Sequence, residues 1–302
     1  MKIKNFYLTI IAGIAVILFS SCLSIEFGQP VGQTTNDEGV IEQIDLKYPV
    51  VLVHGIALYD KTDFLDIWGR IPKTLTDRGI QVFHGNTEGW SDYEANSLIL
   101  KETIEKILLE TGKKKVNIIA HSKGGLDSRY LIWKYNFGDK VASLTTICTP
   151  HHGAEVADLI YYQRLVDKDM IIKALALLGE LDSNISPVIY EITRQLTTEY
   201  MKEFNEKVIM DNRVYCQNLY TTMKSASDDV LFRYTYKYIK GISGANDGLV
   251  SEVSAKWGNN SAKIRDGVSH REIIDILEEI SPRNDIPAIY VGIVKGLRDK
   301  GF

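Results

Sequence analysis

Cysteine is scarce. Three residues in 302 cannot build the dense bridge framework of a small secreted scaffold, so a hydrophobic core must hold this chain together. No low-complexity tract or internal repeat interrupts the sequence, which excludes repeat architectures. There is no Lys/Arg-rich block either. The densest basic run, Lys113-Lys114-Lys115, reads as a solvated turn, and a formal charge of -4 gives no nucleic-acid surface. The apolar stretch Phe6 to Phe19 is too short, and stops too abruptly at Ser20, for the roughly 20 residues that cross a bilayer. What is present is 45% apolar and 25% charged residues, enough to bury a large core in one sizeable domain or two small ones.

Lys2 and Lys4, the apolar stretch and then Ser20-Ser21-Cys22 form the layout of an export signal over residues 1–21. Small residues directly before a cysteine resemble the lipobox of bacterial lipoproteins, although Phe19 stands where leucine is usual. That resemblance implies lipidation at Cys22 and a protein exported to the cell envelope on a membrane anchor; an ordinary secretory signal, giving a secreted or periplasmic protein, is the alternative. Loss of Lys2 and Lys4 would take the charge from -4 to -6, because no acid precedes Cys22. Residues 22–47 are polar, with Gly28, Pro30, Gly32 and Gly39 and no apolar period, and read as a tether. Cys148 and Cys216 lie in apolar strand-like segments and are expected as buried free thiols, although an exported compartment would permit them to pair.

Residues 48–302 alternate strand and helix signals, which predicts an α/β fold with a mainly parallel sheet and helices on both faces. Val50 to Val53, Ile80 to Phe83, Val116 to Ala120, Val141 to Cys148, Val214 to Tyr220 and Phe232 to Ile239 read as strands. Phe64, Trp68, Ile71 and Leu75 recur at helical spacing. Ser91 with Glu94 reads as a capping box for a helix carrying Leu100, Ile104, Ile107 and Leu108, closed by Gly112. Helices are expected after Ser269 and near Pro287. Between 155 and 210 the alternation breaks into a lid-like helical insertion. Within it Met170 to Leu178 is apolar on almost every face, which suits a core helix or a cover over an apolar pocket.

Ser122 stands where the strand Val116 to Ala120 runs out and Gly124-Gly125 opens a helix. A nucleophile elbow needs this layout, with small residues two positions to either side, here Ala120 and Gly124. A serine hydroxyl is a poor nucleophile at neutral pH and needs a histidine base and a carboxylate that orients it. The glycine-rich loop Gly241 to Val250 presents Asp247, and Val268-Ser269-His270 supplies the last histidine. The order Ser122, Asp247, His270 is that of α/β-hydrolases. Asp266 is a rival acid on the histidine's own loop. Adjacent His151 and His152 point apart on an extended segment and rarely share one ion. His84 has no ligand-like companion, and His54 and His121 read as structural.

Together these pieces resemble the bacterial triacylglycerol lipase and esterase family of the α/β-hydrolase superfamily. The matching segments are Tyr48 to Gly55, Ala120 to Gly125, Thr149 to Gly153, Asn246 to Val250, and His270. The resemblance implies a serine hydrolase of carboxylic esters, with a lipid or ester substrate and no required cofactor. It implies an oxyanion hole from the backbone N–H groups of Ile56 and Lys123. Lys123 departs from the usually uncharged residue there, and its ammonium is an expected attraction for anionic substrates. Some relatives hold a structural calcium near the acid and histidine loops, for which Glu272 and Asp275 are the candidates, without a diagnostic spacing. Phospholipase, thioesterase or acyltransferase chemistry on the same triad, or a non-catalytic lipid-anchored binding protein, are the alternatives.

Overall fold

The computed structural model describes residues 41–56, 67–162, 185–276 and 285–302. Strands β1 (Val50–Val53), β2 (Val82–His84), β3 (Val116–His121), β4 (Val141–Ile147), β5 (Tyr215–Thr222) and β6 (Ser261–Asp266) form one sheet in the order β2-β1-β3-β4-β5-β6, every neighbouring pair parallel. Parallel pairing needs crossovers, here including α1 (Ile71–Thr76), α2 (Tyr93–Thr111) and α3 (Lys123–Lys134). Strands β1, β3 and β4 are buried along their whole length. Both faces of these strands are covered, so β1 reads as a continuous apolar run rather than an alternating one, and even the polar Asn117 of β3 and Ser143, Thr145 and Thr146 of β4 are buried. Val50 and Leu52 pack with Trp68, Ile71, Leu75 and the last helix, α8 (Ile286–Arg298). Val51 and Val53 turn the other way, towards Leu100, Ile104, Leu131 and Ile132 of α2 and α3.

The described residues of the insertion are helical, as expected. Its described helices are α4 (Glu155–Tyr162), α5 (Ile185–Gln195) and α6 (Thr198–Lys207), and α6 docks on α3 through Met201 and Phe204 against Leu126 and Tyr130. Met170 to Leu178 lies outside the described residues, as does Cys22. No helix among the described residues is long and apolar enough to cross a membrane.

Four local expectations are corrected. Phe232 to Ile239 is no strand but the start of α7 (Arg233–Ser243). Alternating Tyr234, Tyr236 and Tyr238 mimic a strand, yet the buried set Phe232, Thr235, Tyr236 and Ile239 follows i, i+3, i+4, i+7 and packs as a helix. The cap of α2 is Asp92, which accepts the Ala95 N–H, rather than Ser91. The helix read from Phe64 begins only at Ile71, with Pro72 in its first turn; Phe64 lies outside the described residues. After Ser269 there is a single 3-10 turn, Glu272–Ile274. The sheet also gains β6, an edge strand whose polar sequence Ser261-Ala-Lys-Ile-Arg-Asp266 is largely exposed.

Cys148 is buried, Cys216 is half-buried, and neither is paired. Burial pushes the Cys148 thiol well above its ordinary range, and the Cys216 thiol up to about 11. Since the thiolate is the reactive form, iodoacetamide at about pH 8 is expected to leave both cysteines unlabelled in the folded protein and to label both in urea. Peptide mapping reads the result, and rapid native labelling of Cys148 would contradict the burial.

Candidate active site

Between β3 and α3 a single residue, Ser122, turns the chain at φ 54 and ψ -131. A non-glycine residue there costs on the order of 1–3 kcal/mol and persists only where its surroundings enforce it. They do so here by close approach. A Cβ on Gly55 would fall 2.7 Å from the Ser122 Cβ, one on Gly124 would fall 2.3 Å from the His54 carbonyl oxygen, and one on Gly125 would meet the Thr149 hydroxyl at 2.2 Å. The Ser122 N–H donates to Ile147 O at 2.9 Å, while the Thr149 hydroxyl donates to Ser122 O at 2.8 Å. Thus the carboxyl ends of β1 and β4 grip the turn from both sides. Ala120, fully buried among Val53 and Ile118, fills its place in β3 without disturbing the elbow.

The His270 Nε2 lies 2.9 Å from Ser122 Oγ, and its Nδ1 lies 2.8 Å from Asp247 Oδ2. All three side chains are buried, so Ser122, His270 and Asp247 form a Ser-His-Asp triad shielded from bulk water. Asp247 is fixed through its other oxygen, which accepts the N–H groups of Leu249 and Val250 at 2.9 and 2.7 Å. The backbone ties the two loops together as well: the His270 N–H donates to Asp247 O at 2.9 Å. The carboxylate thereby holds the imidazole in the tautomer whose Nε2 faces the serine.

His121, the residue before the nucleophile, is structural in a specific way. Its Nε2 donates to the His270 carbonyl at 2.9 Å, and the two rings pack with centroids 4.6 Å apart. Burial holds His121 well below the ordinary imidazole range, and the His270 ring adds to this. Burial, then Arg129, does the same to His151. Both rings are therefore neutral in the fold and take up protons on unfolding below about pH 6.5. The unfolded state then binds more protons, so stability falls as the pH drops through that value, by up to about 1.4 kcal/mol per pH unit for each ring. Urea melts between about pH 7.5 and pH 5 are expected to show that slope, and His121→Gln to remove one ring's share.

The Lys123 side chain corrects an expectation. Its ammonium does not face a substrate but closes a buried ion pair with Asp127 at 2.7 Å, and Asn96 donates to the other Asp127 oxygen at 3.0 Å. The backbone N–H of Lys123 remains at the helix N-terminus beside Ser122. No turn, loop or cap hydrogen bond among the described residues uses the N–H of Ile56 or of Lys123.

Other candidates have separate tasks. Asp266 accepts from the Thr222 hydroxyl and from Lys263, and is not the partner of His270. Asp275 takes the guanidinium and backbone N–H of Arg70, and Glu272 accepts the Ser269 N–H at 2.9 Å, so the two suggested calcium ligands serve the loop in other ways. His151 stacks on Trp257 and bonds Thr146, whereas His152 bonds the Lys256 carbonyl. His54 bridges the Gly55 and Thr87 carbonyls. Among the described residues one group, Cys148, Asp247 and His270, brings three ligand-type atoms within 4.8 Å. It contains the triad's own acid and base. Sequence reasoning missed Thr149 as a strut of the elbow and Asp229, which binds both neighbours of His270.

Residues 48–170 match the family described as alpha/beta hydrolase fold. Triacylglycerol lipase 2 of Saccharomyces cerevisiae is 30% identical over 264 residues, covering 80% of this chain and 76% of that protein. A triacylglycerol lipase of Pseudarthrobacter phenanthrenivorans is 42% identical over 118 residues, 38% of this chain and only 36% of the relative. Among solved structures, the mature Bacillus licheniformis lipase BlEst2 superposes with a TM-score of 0.62 at 21% identity, over 85% of this chain and 96% of that one; this supports the fold alone. With four fifths of its length aligned to the yeast lipase and the triad assembled, the chain belongs to the triacylglycerol lipase and esterase family of α/β hydrolases, as a serine hydrolase of carboxylic esters.

Proposed function

We propose that the protein is a lipase or carboxylesterase that hydrolyses acylglycerols through an acyl-enzyme intermediate. The observation that carries this reading is the unbroken pair of hydrogen bonds from Ser122 Oγ through His270 to Asp247. Ser122 attacks the acyl carbon as His270 takes its proton. His270 then returns that proton to the departing alcohol, and water, deprotonated by the same ring, releases the acid and restores the serine. Asp247 stabilises the imidazolium throughout. The N–H groups of Ile56 and Lys123 bind the oxyanion, each contributing about 3 kcal/mol to the transition state. Their supports are the position of Gly55 against Ser122 and the lack, among the described residues, of competing turn or cap partners for either N–H. No cofactor takes part in this chemistry.

The yeast and bacterial relatives are named triacylglycerol lipases, which supports acylglycerols as the substrate class. Residues 1–21 serve as an export signal, Cys22 carries the lipid anchor, 22–47 form the tether, and the hydrolase domain spans 48–302 with its insertion at about 155–210. A pH-stat assay of the full chain on tributyrin and triolein tests the substrate. Acid release from either supports the reading, and none from either by a folded protein overturns it. Loss of metabolic palmitate labelling in Cys22→Ala tests the anchor.

A further inference from the structure

The reactive imidazole of His270 sits on a short loop between β6 and the Glu272–Ile274 turn, and its orientation depends on the backbone to either side. One buried carboxylate holds both sides. Asp229 Oδ2 accepts the Ser269 hydroxyl at 2.7 Å and the Arg271 Nε–H at 2.6 Å; its Oδ1 accepts the Leu231 N–H at 3.0 Å and an Arg271 Nη–H at 3.3 Å. The Asp229 side chain is 1% exposed, whereas that of Arg271 is 20% exposed. A buried carboxylate must be met by charge and hydrogen bonds, and among the described residues every hydrogen-bond partner of Asp229 except Leu231 adjoins His270. Asp229 lies in the segment between β5 and α7, and α7 leads into the Asp247 loop, so this anchor stands on the same stretch of chain as the acid. Glu272 adds a local brace by accepting the Ser269 N–H.

We propose that Asp229, through Ser269 and Arg271, is a positioning residue that sets the imidazole of His270 between Ser122 and Asp247, making the clamp a determinant of turnover rather than of substrate binding. The inference rests on His270 being the general base. Neither Asp229 nor Arg271 touches the reacting atoms. The groups that face the His270 ring are Asp247, Ser122 and His121, with the Cys148 thiol close by. Releasing one flank of the loop lets the ring drift from Asp247, and a displacement of about 1 Å at a reacting group can cost on the order of 100-fold in rate.

The test compares the full chain with Asp229→Asn, Arg271→Ala and the double variant on p-nitrophenyl butyrate across pH, with thermal melting alongside. Both single variants are expected to lose about 10- to 100-fold in kcat with KM within about twofold, and the double variant to lose little more than either single one. The acid limb of kcat/KM is the decisive readout. A ring that loosens from Asp247 favours its imidazolium less, so positioning moves the limb to lower pH in both single variants. A simple charge effect moves it down in Asp229→Asn and up in Arg271→Ala. Opposite shifts, an unchanged profile with loss that follows the unfolded fraction, or kcat within about twofold of wild type in either single variant would each overturn the proposal. Absence of Ser122-dependent turnover in the wild-type chain would instead count against the hydrolase reading itself.

Discussion

Ser122→Ala is expected to lower kcat on every ester substrate by about 10⁴- to 10⁶-fold with no loss of folded protein. The Oγ is the only heavy atom removed, and the hydrogen bonds that hold the elbow run through the Ser122 backbone N–H and carbonyl, which alanine retains. What survives is the water reaction assisted by the oxyanion site and binding. A companion variant separates strain from chemistry. Ser122→Gly is equally inactive, yet it removes the Cβ from a residue at φ 54, and is expected to melt higher than Ser122→Ala because glycine occupies that region freely. Titration with a fluorophosphonate probe and a thermal melt read both effects. Residual turnover within about tenfold of wild type would mean that another residue is the nucleophile.

Gly124→Val is expected to damage stability and catalysis together. The first added carbon would lie 2.3 Å from the His54 carbonyl oxygen and 2.7 Å from that of Val53. Both are backbone atoms, which cannot swing aside as a flexible side chain can. Relief requires α3 to move away from β1, at a cost of about 3 kcal/mol or more. The same movement separates Lys123 from Ile56, whose N–H groups are those proposed above to converge on one oxygen. Gly124→Ala should show a smaller version of both losses. Denaturant midpoints, with kcat/KM measured where each variant is still fully folded, distinguish the two components. A Gly124→Val protein with unchanged midpoint and activity would mean that β1 and α3 are not in contact as described.

The triad was legible in the sequence because its members carry local marks. Ser122 lies between an apolar strand and two glycines, Asp247 lies in a glycine-rich loop, and His270 closes a fixed order of three. The central strands were legible for a related reason: a strand buried on both faces is an unbroken apolar run, as at Val50 to Val53. The misread parts lie where tertiary environment decides. Strand β6 pairs on one side only, with β5, and leaves most of its side chains in water, so no hydrophobic pattern announces it. In α7 two periods coexist in one stretch, and only the packing of Phe232 and Tyr236 against Met223 selects the helical one. Lys123 was placed on the elbow but its side chain was misread: Asp127 stands four residues on in the helix that Gly124-Gly125 opens, a spacing that pairs the two, and only the burial of that pair was not legible.

The sheet order has a consequence for how this protein comes to life. The residues that must meet are separated by 148 positions between serine and histidine, and by 23 between histidine and acid. Each side of the elbow also leans on a different neighbouring strand end. No contiguous piece of the chain contains a working site, and pairings this distant in sequence form slowly. Catalysis should therefore be among the last signals recovered during refolding, trailing the return of helical circular dichroism. Ester turnover thus reports completed assembly of the whole sheet, out to its polar edge, more strictly than any spectroscopic measure of secondary structure.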